Sequence, residues 1–577
     1  MRIVLLYPPP WKVAAPGEKV SFGRDGPPEG FRPADVDADF FQAPYGLLSL
    51  AAQALRAGHQ VKVLNLSAFA WSRVDEVLRQ LDADLFGLSC YTANRRGVGL
   101  VAQCIKQHHP SAHVVVGGPH ATALPLEMLA HHADIDTVIL GEGEATFLEL
   151  INRLAAGAST TDVPGAAGRL GGAPQLAPPR ARIDDLDQLT SPHDYFDTYL
   201  FMTSRGCPGR CTFCAKNVVW GSKYRTHSVE YVLDSLETAL SRLPIKTLMI
   251  KDDTFTANRK RALAICEQIR RRGLDFIWSC DTRVDALDEE VLRAMRLAGC
   301  QRLSLGVESG SAEVLRRIQK LVTRETIETA TAMAKKYGLQ VRYFMMLGNR
   351  GETAATFQES LDFVERAQPH QSIFACLSVY PGTADFNDLE RAGVLDRELF
   401  FTDTFQELKL PFDASEEDTE LMSEWFFQHL GIREHHRDGT AERLAILERL
   451  GDHHAAHFDL ATAYYRNGEL DLAERHLRRA QELGYPLPTL VHNSMACIRA
   501  ARGDLSGAQR ELTRAMSGPP FSVVVRNVRA LNAWRAAQAQ GDTPRLDLSA
   551  EYDFELPEPQ IQPMLPGPLR DDFAEWA

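Results

Sequence analysis

The chain is 577 residues long, 45% hydrophobic and 24% charged, with a net charge of −13. That composition is globular and rules against a disordered or fibrous chain; the acidic balance argues against a duplex nucleic-acid surface, which needs clustered Lys and Arg. No apolar run approaches the ~20 residues of a membrane span. The length suggests about three to four domains. The N-terminus enters a strand without a basic segment or cleavage site, so a cytoplasmic protein is expected. Of the ten cysteines, three share one short loop. The other seven, from Cys90 to Cys497, are scattered in apolar surroundings, as free thiols in a reducing compartment would be.

Residues 1–155 alternate short apolar runs with amphipathic segments. Strands are expected at 2–7, 61–66, 84–89, 113–117 and 137–140, with helices near 45–57, 72–82, 97–109, 124–132 and 143–155. Five strands joined by helices make an open, doubly wound α/β sheet, Rossmann-like in class, whose ligand belongs beyond the carboxyl ends of the strands. Those ends carry Ser89, then Gly117-Gly118-Pro119-His120, then Gly141-Glu142-Gly143-Glu144. Glycines there let a ligand approach the backbone. No G-x-G-x-x-G follows the first strand, which argues against a nicotinamide cofactor. His120 either touches the ligand or caps the next helix. A Gly/Pro/Asp-rich insertion at 17–43 reads either as a lid or as a solvated loop.

Residues 156–195, rich in Gly, Ala, Pro and Asp, read as an extended linker. After the apolar run Tyr199-Leu200-Phe201-Met202-Thr203 comes a tight loop with Cys207, Cys211 and Cys214 at the spacing C-x-x-x-C-x-x-C. Three thiolates on such a loop can wrap one inorganic cluster. On a four-iron cubane they leave one iron without a protein ligand, the open position that a catalytic site needs. Zinc would require a fourth ligand and does not favour this spacing.

Between 196 and 398 six strands are expected, at 199–204, 245–251, 275–280, 301–307, 340–347 and 371–378, with helices near 228–243, 258–272, 288–298, 324–337 and 353–367. Six βα units suit an open partial (β/α)6 barrel with its chemistry at the C-terminal strand ends. Polar groups gather at those ends: Lys251-Asp252-Asp253, Cys280-Asp281-Thr282-Arg283, Gly306-Val307-Glu308, Met346-Leu347-Gly348 and Tyr380-Pro381-Gly382. Asp252 and Asp253 read as ligand contacts or as a helix cap. Arg283 and Glu308 read as ionic ligand contacts or as a pair with each other. No general base stands out; Tyr224, Arg225, Tyr343 and Tyr380 are candidates by position alone.

From 399 to 540 the pattern is helical. Trp425-Phe426-Phe427 reads as core or interface. Ala463-x4-Gly468-x-Leu470-x2-Ala473 recurs 35 residues later as Ile498-x4-Gly503-x-Leu505-x2-Ala508, close to the tetratricopeptide period. Two such repeats either dock a peptide or carrier protein or buttress their neighbours. Residues 541–577, proline-rich and acidic, form a tail that either covers the active site or is disordered.

The cysteine loop, with Phe213 before its third Cys, resembles the radical S-adenosylmethionine (SAM) superfamily. The first 155 residues resemble a cobalamin-binding domain. Together, over roughly residues 1–395, the chain resembles the cobalamin-dependent branch of radical SAM enzymes, which shares phrases such as Val115-Val116-Gly117-Gly118-Pro119-His120 and Gly141-Glu142-Gly143-Glu144. The resemblance implies a 4Fe-4S cluster on Cys207, Cys211 and Cys214, with SAM chelated to the open iron. It implies SAM contacts from Asp252 and Asp253 (amino group), Arg283 and Glu308 (ribose and carboxylate) and Met346 (adenine). It also implies a cobalamin tail along Ser89, Gly117 and Gly118, with Pro119, His120, Gly141 and Glu142 at the same edge. The D-x-H-x-x-G motif is absent, so cobalt is expected to lack a His ligand. Phe69, Trp71 or Arg73 then either covers its lower face or simply packs there.

The activity implied is methylation of a carbon, less often phosphorus, in a small natural-product precursor or peptide, with methylcobalamin giving its methyl group to a substrate radical. An electron donor such as flavodoxin or ferredoxin is the implied partner. The alternatives are radical oxidation, ring contraction or cyclisation without methyl transfer, as in the anaerobic porphyrin-ring cyclases, and polar methyl transfer to an indole-like carbon. The rival for the N-terminal domain is a fold that has lost cobalamin and is kept as a scaffold; outside enzymes, a cobalamin sensor or peptide-binding scaffold is disfavoured, since sensing does not require the three-thiol loop.

Overall fold

The computed structural model describes residues 1–9, 44–67, 71–401, 412, 414–518, 521–540, 545–554 and 556. The insertion at 17–43, Phe69 and the prolines from Pro557 onward lie outside these. Two seven-stranded sheets organise the chain.

The first contains β1 (Arg2–Tyr7), β2 (Gln60–Asn65), β3 (Leu85–Ser89), β4 (His113–Gly117), β5 (Thr137–Ile139), β6 (Ala166–Leu170) and β7 (Ala173–Leu176), in the order β2-β1-β3-β4-β5-β6-β7. β1 to β5 run parallel because a helix crosses over after each. The helix Tyr45–Arg56 shows why these segments are helical: Leu47, Leu48, Ala51, Ala52 and Ala54 fall on one buried face, against β1 and β2. Trp71 and Arg73 open the helix Trp71–Gln80.

β6 and β7 lie in the stretch expected to be a linker. They form an antiparallel hairpin that extends the sheet beyond β5. Gly171 (φ 60°) and Gly172 (φ 88°) both take the left-handed backbone that a two-residue hairpin turn requires. The sequence hid these strands because Ala166-Ala167-Gly168-Arg169-Leu170 has almost no β-branched or aromatic residue.

The second sheet contains β8 (Leu200–Phe201), β11 (Thr247–Ile250), β12 (Ile277–Thr282), β13 (Cys300–Glu308), β14 (Gln340–Leu347), β15 (Gln371–Cys376) and β16 (Ile432–Glu434). Its order is β16-β15-β14-β13-β12-β11-β8, and β9 (Ser204–Arg205) and β10 (Arg225–Thr226) form a separate antiparallel pair. The six expected strands run parallel; β16 adds an antiparallel edge in a stretch read as wholly helical. Three residues are too few to show a period.

The outer face of this sheet packs on its crossover helices. Leu303, Leu305, Val307, Val341, Tyr343, Met345 and Leu347 belong to that core. Tyr343 shares a hydrogen bond with Thr331 there, which makes it a packing residue and removes it as a base. On the inner face, register sets Ser304 beside Arg342 and Gln371, and Gly306 beside Phe344 and Ile373. β14 is a central strand, yet every inward residue along it is only half-buried. A central strand with one accessible face implies a hollow.

Behind the sheet lie the helices Thr440–Leu450, His454–Arg466, Leu470–Glu482, Pro488–Ala501, Leu505–Ala515 and Ser522–Ala539. The recurring glycines Gly468 (φ 80°) and Gly503 (φ 83°) sit at the turns within successive helix pairs, where a left-handed residue ends a helix at least cost. Trp425 packs edge-on against Phe357 and Phe374. Residues 545–554 then run as a strap across these helices: Tyr465 donates to the Leu548 carbonyl (2.9 Å) and Asn493 and Asn527 donate to the Ser549 carbonyl (3.0 and 2.7 Å). The strap ends beneath the second sheet. Arg302, near the start of β13, donates to the Phe554 carbonyl (2.6 Å) and lies 4.9 Å over its ring. This part of the tail is therefore neither disordered nor over the cysteine loop; buried Tyr552 and Phe554 hold it at the opposite, N-terminal ends of the strands. Among the described residues no helix is long and apolar enough to cross a membrane.

Candidate functional site

The cysteine loop leaves β9 at the C-terminal end of the second sheet. Gly206 (φ 85°) makes the turn, and a Cβ there would stand 2.9 Å from the Lys223 carbonyl. Asp252, buried beyond β11, accepts from the backbone N–H of Thr203 (2.6 Å) and Ser204 (3.0 Å) and from both hydroxyls. Burial pushes its carboxyl up, and those hydrogen bonds oppose the rise. Asp253 accepts from Gly206 N–H (2.9 Å). Thr212 is tied to Asp385 (3.1 Å), which Arg350 holds in turn (2.7 Å). The loop is thus braced before any ligand arrives.

Its sulfurs face donors and cations. Cys207 Sγ accepts from Thr254 Oγ1 (3.2 Å) and Gly209 N–H (3.4 Å). Burial raises the Cys211 thiol, while Lys320 and Arg283 oppose the rise; burial pushes Cys214 up to about 11. Among the described residues, the trios with ligand atoms all within 4.8 Å are Asp75–Cys104–His108 and His436–Asp438–Glu442, so at least one pair of the three loop sulfurs lies farther apart than that. A tetrahedral zinc would hold its sulfurs about 3.8 Å apart. The donor set and its spread fit a multi-iron cluster better than a single ion.

Arg283 and Glu308 do not pair with each other. Arg283 is paired with Asp285 (2.8 Å), and a Cβ on Gly209 would meet its guanidinium at 2.7 Å. Glu308 is paired with Lys320 (3.0 Å) and holds φ 72°, where β13 and β14 slip register. A non-glycine residue held there stores about 1–3 kcal/mol of strain, a cost met most often at ligand sites. Phe213 is half-buried against the core of the second sheet, and Met346 is half-buried on the inner face of β14. Sequence reasoning missed Lys320. It lies between Gln319 and Leu321, both left-handed (φ 54°), and no local pattern announces it.

The first sheet presents Ser89 beside Gly117 in register, with Asn94 donating to the Ser89 carbonyl (3.0 Å). Gly118 has φ 108°, and a Cβ on it would come within 2.6 Å of the Cys90 carbonyl oxygen. Beside it, buried His120 shares a hydrogen bond with Thr92 through Nδ1 (3.0 Å), while its Nε2 is buried without a partner. Burial drives this imidazole down to about 3, so it is neutral. The glycine packs this turn against the Cys90 backbone, and the unmatched buried nitrogen beside it fits a polar-edged group such as the tail of cobalamin.

Gly141-Glu142-Gly143-Glu144 has a second role. Arg205, two residues before Cys207, pairs with Glu142 (2.8 Å) and Glu144 (2.5 Å), and Arg225 pairs with Glu142 (2.7 Å). All four side chains are at most 9% exposed. Arg205 also lies 4.9 Å over the Trp220 ring, and Ser49 donates to Glu144 (2.9 Å). With its oxygens taken by Arg205, Arg225 and the Ile183 N–H, Glu142 locks the sheets together at their ligand-facing ends. Arg225 is thereby removed as a base.

Residues 201–364 match the Radical SAM superfamily and residues 35–151 the B12 binding domain. The chain is 33% identical over 353 residues to the uncharacterized methyltransferase PH0819 of Pyrococcus horikoshii, covering 59% of this chain and 77% of that protein. It is 29% identical over 317 residues to the hopanoid C-3 methylase of Methylococcus capsulatus, covering 52% of this chain and 59% of that one. In fold it resembles OxsB, a cobalamin-dependent SAM radical enzyme solved with aqua-cobalamin (TM-score 0.56, 15% identity, 93% of this chain and 84% of that one). It also resembles TsrM from Kitasatospora setae, a radical SAM methyltransferase solved with cobalamin and a [4Fe-4S] cluster (TM-score 0.54, 18% identity, 68% of this chain and 75% of that one). On its two matched domains and its coverage of the Pyrococcus relative, the chain belongs to the family of cobalamin-binding radical SAM enzymes.

Proposed function

We propose that the chain is a cobalamin-dependent radical SAM methyltransferase that methylates a carbon centre of a small natural-product precursor or peptide. The observation that carries this reading is the Arg205 clamp. It fixes a braced three-cysteine loop against the glycine edge of a cobalamin-type sheet, so two cofactors would face one space. When bound, the cluster, SAM and cobalamin together supply reductive SAM cleavage and transfer of a methyl group to a carbon radical.

The chain's own residues then have separable tasks. Cys207, Cys211 and Cys214 hold the cluster. Lys320 and Arg283 offset thiolate charge, and Thr254 fixes Cys207. Asp253, Arg283, Glu308 and Met346 line the place for SAM, and Phe213 packs under the loop. Asp252 shapes the loop from behind rather than touching SAM, since its oxygens are occupied. Ser89, Gly117, Gly118, Pro119 and His120 pass the cobalamin tail. Gly141 keeps the seam close-packed, with the Val219 carbonyl 3.8 Å from where its Cβ would be. The six parallel strands serve as a partial barrel, and the helix pairs, tetratricopeptide-like in period, buttress it from behind.

The test is anaerobic reconstitution with iron, sulfide, cobalamin, SAM and reductant against candidate substrates. Equal yields of 5′-deoxyadenosine and S-adenosylhomocysteine with methylated product are expected, and Cys211→Ala should bring both to background. The anaerobic magnesium-protoporphyrin IX monomethyl ester cyclase of Rubrivivax gelatinosus is 26% identical over 369 residues, covering 60% of this chain and 66% of that protein. That likeness favours a second reading, cyclisation without methyl transfer. Deoxyadenosine alone, with no methylated product, would replace the first reading by the second.

A further inference from the structure

The hollow on the inner face of the second sheet is lined asymmetrically. Phe344 and Ile373 are half-buried, and Met346 and Ala375 follow them toward the cysteine loop, with Ala375 exposed past the point where β16 ends. Below this apolar wall the face becomes cationic. Arg342 on β14 is half-buried, and its Nε and Nη2 donate to the neutral Gln371 side chain on β15 (2.9 and 2.5 Å). Arg302, on the neighbouring β13, is 3% exposed; its Nη1 is used by the Phe554 carbonyl, and its Nε is buried with no partner.

Among the described residues neither guanidinium has a carboxylate within ion-pair distance. Two acids act on both from farther off: Asp281 on β12 and Asp553 on the strap. Asp281 is already shared with Lys251 (3.7 Å). Tyr552 and Cys300 also face Arg302. Glu434, in register with Gln371, also faces Asp553 but is paired with Arg437. Lys251, Arg302, Arg342 and Arg437 thus share Asp281, Asp553 and Glu434, and the two arginines without an ion pair repel each other. Burial weakens the solvation that would offset this, and leaving a guanidinium unpaired in such a place is costly. A polar group buried without a partner calls for an unseen one.

We propose that Arg342, backed by Arg302, forms an oxyanion subsite at the floor of this hollow. The substrate is then a small molecule with an apolar body along Phe344, Ile373 and Ala375 and a carboxylate, phosphoryl or phosphonyl group at its far end. Arg342 is the residue that takes the anion, since its planar fork suits either type of oxyanion. Arg302 raises the local positive potential. This deepens the methyltransferase reading and rests on it for the word substrate, but the subsite itself stands on the chain's geometry.

The experiment uses the full-length, anaerobically reconstituted chain with S-adenosylhomocysteine present, and titrates succinate and inorganic phosphate separately by calorimetry. Saturable binding of one or both is expected, and which one binds tells carboxylate from phosphoryl chemistry. Arg342→Gln should weaken it at least about tenfold, the scale of a lost charge-assisted pair. Asp281→Asn, which removes a competing carboxylate, should strengthen it several-fold, a gain that misfolding cannot produce. Absence of binding by both probes, or equal binding by Arg342→Gln with an unchanged cobalamin load, would overturn the subsite. Failure of the methyltransferase reading would appear separately, as SAM cleavage without methylated product by a wild-type chain that still binds the anion.

Discussion

The two seven-stranded sheets have equal strand counts and opposite interiors. In the first, all but one terminal residue of each of β1, β2 and β3 is buried, with helices on both faces, so a ligand is left only the strand ends. In the second, β14 alternates half-buried and buried residues along its whole length, so a ligand can use the face as well. The difference is one of what covers the inner face. Helices cover it in the first sheet; a strap and a set of charged residues floor it in the second. The proposed cofactor edge and the proposed substrate face would use these two solutions side by side.

The seam between the sheets is where the comparison breaks most readily. Arg205→Met would leave Glu144 buried with no cation and Glu142 with Arg225 alone. A cost of about 3–5 kcal/mol is expected, since a buried charge loses its partner, and urea unfolding would read it. The pH dependence should change sign as well. In the wild type, burial raises the Glu144 carboxyl, but Arg205 outweighs burial and holds it below its ordinary 4.5. The wild-type pair therefore stabilises fully above pH 4.5 and is lost as pH falls through the lower folded value. In the variant burial is opposed only by the Ser49 hydroxyl and a backbone N–H, so the same carboxyl should destabilise more as pH rises past 4.5. A variant whose stability follows the wild-type profile would show that the seam is held by something else.

A smaller effect falls on the floor. Phe554→Ala removes a buried ring and the cation contact with Arg302, at an expected cost of about 3 kcal/mol. Hydrogen exchange should rise at the starts of β13 and β14, while the first sheet keeps its protection and its cobalamin load. The smallest effect sharpens the first sheet. Gly118→Ala forces a Cβ toward the Cys90 carbonyl at a positive φ, costing about 1–3 kcal/mol. Cobalamin retention after gel filtration should fall, with SAM cleavage by the cluster loop persisting.

Much of this architecture was legible because its signals are local. The strands β1 to β5 and β11 to β15 carry dense apolar runs, and the cysteine spacing is confined to eight residues. What escaped has a long-range cause. β6 and β7 are strands because a sheet edge is available, not because Ala166-Ala167-Gly168-Arg169-Leu170 prefers to extend. Glu142 looked like a ligand contact in Gly141-Glu142-Gly143-Glu144, yet its oxygens are taken by cations 63 and 83 residues away. Lys320 gains its place beside Cys211 through a turn with two left-handed residues, and the tail's Phe554 meets a residue 252 positions earlier. Periodicity cannot report such pairings.

That last pairing bears on how the molecule is made. Domains form in order of synthesis, and contacts distant in sequence close late. All six parallel strands of the second sheet have left the ribosome well before Phe554 exists, so Arg302 waits, its guanidinium reachable from below, for most of the remaining translation. The nascent sheet therefore passes through a stage with both ends open. Cluster assembly at one end need not await closure of the other.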